Sequence, residues 1–385
     1  MNILLVNKAY FPHLGGVETV VRQIAEGMIK RGHETTVLCF GERDITERIG
    51  GVEVRRVRPI GHIGSAPVGF RFVRELLKLS KRADVINFHS PNPMGELAFL
   101  LFSFTRKKGK NIICTYHGDA QKPKVLLLAY DFIMQCFFRR CDVIAVSNPP
   151  LFENSRVMKM NSIKEKTRII PLGIRTENYI EHQTCEIEKA RSLLAQLPSA
   201  SFKVMYAGRM VYYKGLEILL EALLAIKRQG YLISAFLVGS GPEENDIKKY
   251  IANNALDDDI LVLPHQPENI YRVLFSLADC FVLPSTHQTE AFGIVLTEAM
   301  ASGTPIISTE LGTGTSWVNQ NGETGIVVPP QDSSALAKAI VYLAEHADER
   351  KSMSVKSLAR AKRFFEEDMM LEAYDGMFQQ LTIDN

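Results

Sequence analysis

Nothing in the 385 residues could cross a bilayer as a single helix. No run of 18 or more uncharged apolar residues occurs, and the most apolar stretches, 97–104 and 125–130, are far too short. The opening MNILLVNKAYF has no basic region and no small-residue cleavage site, so it predicts a first core strand rather than a targeting segment. Cysteine is scarce. The six residues Cys39, Cys114, Cys136, Cys141, Cys185 and Cys280 lack paired spacing, which argues against a disulfide framework and for reduced thiols in a cytosolic setting. Repeats and low-complexity segments are absent. No metal centre is expected: Asp257-Asp258-Asp259 has no neighbouring His and reads as a turn. Gly239-Ser240-Gly241-Pro242 lacks the third glycine and the well-placed acid of a dinucleotide fingerprint.

With 46% apolar and 23% charged residues the chain is globular, and its length suits two domains. The net charge of +2 hides an asymmetry. Residues 1–180 carry 28 Lys and Arg against 16 Asp and Glu, or +12, and the remainder carries 17 against 27, or −10. A basic half points to an anionic partner such as a membrane surface, a phosphate-linked lipid or nucleic acid, or is chance imbalance.

Short apolar runs alternate with helical patterns from Ile3–Asn7 to Thr167–Ile170. Amphipathic Val52–Val57 is expected near a sheet edge, and 70–82 forms a helix with Arg71, Arg74, Lys78, Lys81 and Arg82 on one side. The pattern dissolves over 180–201 into a polar connector. It restarts at Phe202–Ala207 and ends in three helices, 333–345, 348–365 and 369–381. Such alternation predicts βα units on parallel sheets, hence α/β with two doubly wound domains. The expected division is 1–180 and 181–362.

One stretch organises the second half. VLPSTHQTEAFGIVLTEAMASGTPIIST (282–309) reads as strand, loop, helix and strand, with the loop at the strand's carboxyl end where open α/β sheets bind ligands. Glu290 precedes the helix and Glu298 lies within it, with seven residues between them. The free N–H groups of Phe292, Gly293 and Ile294 would suit a phosphate, and the carboxylates would suit sugar hydroxyls. A helix cap and a solvated glutamate are the plain alternative.

This stretch resembles the donor-binding signature of the family 4 retaining glycosyltransferases, which have the GT-B fold of two Rossmann-like domains facing across a cleft. Essentially the whole chain shares the resemblance. It implies that Glu298 holds the ribose hydroxyls and Glu290 the transferred sugar. GRMVYYKG (208–215) matches the loop whose Arg209 and Lys214 bind the diphosphate and stabilise the leaving group. Gly15-Gly16, at the start of a helix, matches the place where the backbone approaches phosphate or sugar. His117-Gly118 matches the motif whose histidine contacts the donor, and Asp119 matches less firmly. The last helix, about 363–385, would cross back onto the first domain.

The resemblance also implies a nucleotide-sugar donor used as substrate, without cofactor or divalent ion. STELGTGTSWVNQNGETGIVVPP (308–330) is similar to bacterial O-antigen and capsule transferases adding mannose or related sugars, which favours a GDP-sugar. The acceptor would be a glycolipid or saccharide. Arg71 to Arg82, Arg106, Lys107, Lys108, Lys110, Lys122 and Lys124, beside Phe70, Phe72, Leu101 and Phe104, would attach a cytoplasmic enzyme peripherally to the anionic inner membrane face rather than to nucleic acid. Another GT-B enzyme, such as an epimerase or phosphorylase, and a non-catalytic nucleotide-sugar binder are the competing readings. A phosphorylase would need a much longer chain, and a non-catalytic binder should have lost Arg209, Lys214 or Glu290.

Overall fold

A computed structural model describes residues 1–13, 15–64, 66–102, 111–120, 124–199 and 201–383. The chain divides into two compact units, Met1–Leu172 with Glu367–Asn385, and Gly173–Glu366. Of the basic and apolar residues expected at a membrane, Phe104, Arg106, Lys107, Lys108, Lys110 and Lys122 lie outside the described residues.

The first unit is built from β1 (Asn2–Val6), α1 (Gly16–Lys30), β2 (Glu34–Phe40), β3 (Ile45–Ile49) and β4 (Val52–Val57). A hairpin, β5 (Gly61–Ile63) and β6 (Ala66–Val68), leads into α2 (Phe70–Ser80). There follow β7 (Val85–Ser90), α3 (Pro93–Phe102), β8 (Asn111–Tyr116), α4 (Lys124–Arg140), β9 (Val143–Val146), α5 (Pro149–Asn154), α6 (Asn161–Lys164) and β10 (Thr167–Ile169). The sheet order is β10-β9-β8-β7-β1-β2-β4-β3, parallel except for β3. β7 and β8 are buried along their whole length, which is why they read as continuous apolar runs. On one face Phe72, Phe88, Phe137 and Phe138 form an aromatic core, and Phe40 stacks on Phe72 at 4.3 Å.

β4 lies near the sheet edge, one strand in. Antiparallel β3 covers it, and Arg56 donates to Glu47 across the pair at 2.6 Å. β3 escapes sequence reading because ITERI is polar and alternates between half-buried and exposed positions.

The second unit begins with a 3-10 turn, Thr176–Tyr179, and α7 (Thr184–Leu193). Then come β11 (Phe202–Ala207), α8 (Leu216–Arg228), β12 (Ile233–Val238), α9 (Glu244–Asn253), β13 (Ile260–Leu263), α10 (Glu268–Ser276), β14 (Cys280–Leu283) and α11 (Ile294–Ala301). It closes with β15 (Ile306–Thr309), α12 (Gly314–Val318), β16 (Gly325–Val328), α13 (Ser333–Glu345) and α14 (Ala347–Phe364). Its sheet, β13-β12-β11-β14-β15-β16, is wholly parallel.

The unit boundary falls at Leu172/Gly173, earlier than the expected 180/181. Ile174 donates its N–H to Phe365 O at 2.6 Å and bridges Glu366, while Tyr179 is buried among second-unit side chains. The returning helix, α15 (Glu367–Ile383), belongs to the first unit and starts at Glu367 rather than about 363. Gly27 on α1 leaves room for it: a Cβ there would sit 2.5 Å from Leu371. His33 meets Asp375 at 2.7 Å, and Tyr374 and Phe378 are buried. Redrawing the boundary shrinks the charge asymmetry. The first unit holds 27 basic and 20 acidic residues, or +7, and the second 18 and 23, or −5.

Candidate active site

In the second unit the functional side chains gather at the carboxyl ends of β11 and β14. The chain leaves β11 through Gly208 and Arg209, makes a 3-10 turn over Tyr212–Lys214, and enters α8 at Gly215. Gly215 has φ +69°, and a Cβ there would lie 2.0 Å from Pro284 O, so only glycine fits. Thr286 donates its N–H to Tyr213 O at 2.8 Å, tying this loop to the one after β14.

That tie brings Lys214 and Glu290 together as an ion pair, with side chains only 12% and 11% exposed. A charge so enclosed is costly without its partner. Ser285 Oγ donates to the same carboxylate at 3.2 Å, and Thr313 Oγ1 donates to Glu290 O at 2.7 Å. Arg209 is exposed, and no described residue pairs with its guanidinium. One loop thus supplies one engaged cation and one free one.

After Glu290 the chain passes Ala291 and buried Phe292, then turns at Gly293, whose φ of +75° caps α11. Among the described residues no acceptor meets the N–H groups of Phe292, Gly293 or Ile294, so the helix end is open to an anion. One turn on, Glu298 is not solvated. Tyr271 OH donates to it at 2.7 Å and Tyr179 OH at 3.1 Å. Burial pushes the Glu298 carboxyl above the ordinary carboxylate range, against the pull of these hydroxyls.

The remaining candidates, Gly15, Gly16 and His117, belong to the first unit. Gly15 precedes α1 with φ −177°, extended backbone open to any residue, so its use there is not conformational freedom. Gly16 is the first residue of α1. His117 follows β8 and donates its N–H to Ser90 O at 2.9 Å. Its ring lies against His89, with His117 Nε2 3.0 Å from His89 Nδ1. Burial pushes His117 down to about 4, and burial with the neighbouring imidazole lowers His89 well below the usual histidine range. Asp119 is occupied: it accepts from Tyr116 OH, from Ser155 Oγ at 2.8 Å and from Arg156 N at 2.9 Å. It therefore anchors the loop beyond α5.

The two halves match different family profiles, residues 14–178 that of Glycosyltransferase Family 4 and residues 195–359 that of Glycosyl transferases group 1. D-rhamnosyltransferase WbpZ of Pseudomonas aeruginosa is 32% identical over 95% of this chain and 92% of its own. This chain belongs to glycosyltransferase family 4. O-antigen chain mannosyltransferase C of Escherichia coli is 29% identical to the glycosyltransferase over 99% of both chains. Among solved structures, Anabaena Alr3699/HepE in complex with UDP superimposes with a TM-score of 0.79 at 20% identity, covering 99% of this chain and all of that one. Sucrose-phosphate synthase from Thermosynechococcus elongatus gives 0.78 at 21% identity, covering all of both chains. These likenesses establish the GT-B fold.

Among the described residues no group of three or more His, Cys, Asp or Glu is placed to hold a metal ion, and no helix is long and apolar enough to cross a membrane. In each unit the candidate residues touch side chains that sequence reasoning missed. Tyr179 sits at the edge of what reads as a featureless connector, and Tyr271 looks like an ordinary buried-face aromatic of α10. Ser285 and Thr313 carry no spacing signal. His89 is hidden inside the apolar strand VINFHS.

Proposed function

We propose that this glycosyltransferase moves a hexose, with retention of anomeric configuration and without a metal ion, from a nucleotide-diphosphate sugar to a lipid-linked or polysaccharide acceptor of the O-antigen or capsule type. The observation that carries the reading is the arrangement at α11: the Lys214–Glu290 pair, the unpartnered Arg209 and the open N–H groups of Gly293 and Ile294. Departure of a nucleoside diphosphate leaves negative charge on a phosphate oxygen. Fixed cations and an aligned helix end stabilise such charge without reorganising at the moment of bond breaking. Lys214 turns from Glu290 towards the diphosphate when donor binds, which frees the Glu290 carboxylate to accept from sugar hydroxyls. Glu298, oriented by two tyrosine hydroxyls, accepts from the ribose.

A GDP-mannose-like donor is favoured over a UDP-sugar, since two relatives matched over more than nine-tenths of their length are named as an O-antigen chain mannosyltransferase and a D-rhamnosyltransferase. Purified protein incubated with GDP-mannose and a lipid-linked acceptor in EDTA should form product whose anomeric proton, followed by NMR, keeps the donor configuration. An inverted product, or strict dependence on added divalent ion, would overturn the mechanism.

A second observation favours a membrane-borne acceptor. Between α2 and α3 lies an open groove of about 690 Å³, lined by Val73, Leu77, Leu97 and Leu101 together with Arg74 and Lys78. Phe70 at its mouth is 81% exposed. Apolar and basic lining residues together match an anionic amphiphile at a bilayer surface. The enzyme would then work peripherally at the cytoplasmic face of the membrane.

A further inference from the structure

His89 carries no role in the family resemblance, yet it touches His117, the histidine that the resemblance sets against the donor. It sits near the end of β7, is 1% exposed, and its ring meets that of His117 edge to edge, with centroids 5.3 Å apart and planes 16° from parallel. The contact joins His89 Nδ1 to His117 Nε2 at 3.0 Å, so one nitrogen donates and the other accepts. His89's second nitrogen decides which. Nε2 is buried and meets no partner. A proton there would leave an unpaired N–H in the core, and orphaned buried N–H groups are rarer than bare acceptors. The proton of His89 therefore belongs on Nδ1, pointing at His117.

We propose that His89 is a positioning residue: it donates Nδ1–H to His117 Nε2, fixing the ring of His117 and placing the His117 proton on Nδ1. His117 Nδ1 meets no described residue, so it is the nitrogen left to donate to a bound ligand. A single buried hydrogen bond thus turns a two-tautomer imidazole into a donor of fixed direction. The low proton affinity that burial gives both rings keeps the pair neutral at physiological pH, so orientation comes from the tautomer and not from charge. The role in transfer rests on the glycosyl transfer proposed above and on the donor contact that the resemblance implies for His117. The tautomer assignment does not.

The test separates the two. In full-length protein with 15N-histidine, two-bond proton–nitrogen correlations should show His117 protonated on Nδ1 and bare on Nε2. His89→Leu should shift His117 towards the Nε2–H form. His89→Asn, whose amide nitrogen can stand where Nδ1 stood, should hold the wild-type tautomer, and His89→Gln should not. Mannosyl transfer by the Leu and Gln variants should fall about 10–100-fold in kcat, the scale for losing a hydrogen-bond partner that orients a functional imidazole. GDP affinity by calorimetry should stay within about twofold, which also shows that the variants fold, and Asn should recover most of kcat. An Nε2–H tautomer for His117 in the wild type, or equal losses in Leu, Gln and Asn variants, overturns the proposal. Full activity in His117→Ala, with the Nδ1 tautomer observed in wild type, overturns the role of His117 in transfer while the tautomer assignment stands.

Discussion

The two units hold their candidate site residues by opposite means. The second pairs opposite charges: Lys214 with Glu290, and a free Arg209 beside an open helix end. The first joins two neutral imidazoles edge to edge through a hydrogen bond at the end of a buried strand. Charge suits the place where a diphosphate departs, because a desolvated ion pair can exchange one partner for another of the same sign. Neutral hydrogen-bond donors suit the place where sugar hydroxyls must be oriented without attracting counterions. On the function proposed above, the electrostatic work and the positioning work would fall to different sheets of one chain.

The comparison breaks most visibly at Lys214. Lys214→Ala should lower kcat/KM by about 100-fold or more and also lower the melting temperature, because Glu290 keeps its burial and loses its partner. Arg209→Ala should cost similar activity with no change in melting temperature, since Arg209 is exposed and unpaired. Equal melting shifts in both variants would contradict the distinction between engaged and free cation.

Calorimetry sharpens the division between the glutamates. Glu298→Ala should weaken free GDP by about tenfold, near the 1.5–3 kcal/mol of a hydrogen bond to a charged group. Glu290→Ala should leave free GDP within about twofold and abolish transfer. Matched losses of GDP affinity would refute the assignment of ribose to one and sugar to the other.

Next in size is the surface term. Each basic residue near an anionic bilayer contributes ~1 kcal/mol, so Arg74→Ser and Lys78→Ser should each weaken sedimentation with anionic vesicles by about fivefold. Binding should fade towards ~0.5 M salt, where screening is short-ranged. Binding to neutral vesicles as strong as to anionic ones would remove the charge argument for the α2–α3 groove.

The smallest effect is on stability against pH. His117 and His89 bind protons less readily folded than unfolded, where the ordinary value is 6.5. Below pH 6.5 the unfolded chain takes up protons that the folded one refuses, so stability falls as pH drops towards about 4. Glu298 is shifted the other way: its folded form binds a proton more readily, so its contribution declines as pH rises past 4.5. His117→Phe should flatten the decline in melting temperature between pH 6.5 and 5. An unchanged slope would show that the imidazole is not protected from protonation.

Sequence carried the second unit's candidate residues further than the first unit's, for a physical reason. Glycines, a proline and two glutamates at fixed separation mark a strand–loop–helix turn, because each backbone constraint demands its own residue type; Gly215 against Pro284 O is one such demand. The Lys214–Glu290 contact was not legible, since it depends on two loops meeting across 76 positions. Tyr179 and Tyr271 reach Glu298 from separate elements, and no periodicity links them. His89 was lost for the opposite reason: a buried strand reads as apolar, and one imidazole among VINFHS looks like filler. The charge asymmetry was real in number and misplaced in space. It was drawn at residue 180, but five acidic residues after 366 return to the basic unit.

That return has a consequence for how the protein is made. The second unit is one uninterrupted stretch, Gly173–Glu366, threaded into the first between Leu172 and Glu367. Emerging from the ribosome, it can reach its native state while the first is still missing the helix that carries Leu371, Tyr374 and Phe378 into its core. First-unit residues synthesised before Gly173 are then sealed only after the second unit has emerged. During that interval α1 and the face of β8 at Thr115, which Tyr374 meets at 3.3 Å, stand exposed to chaperones and proteases.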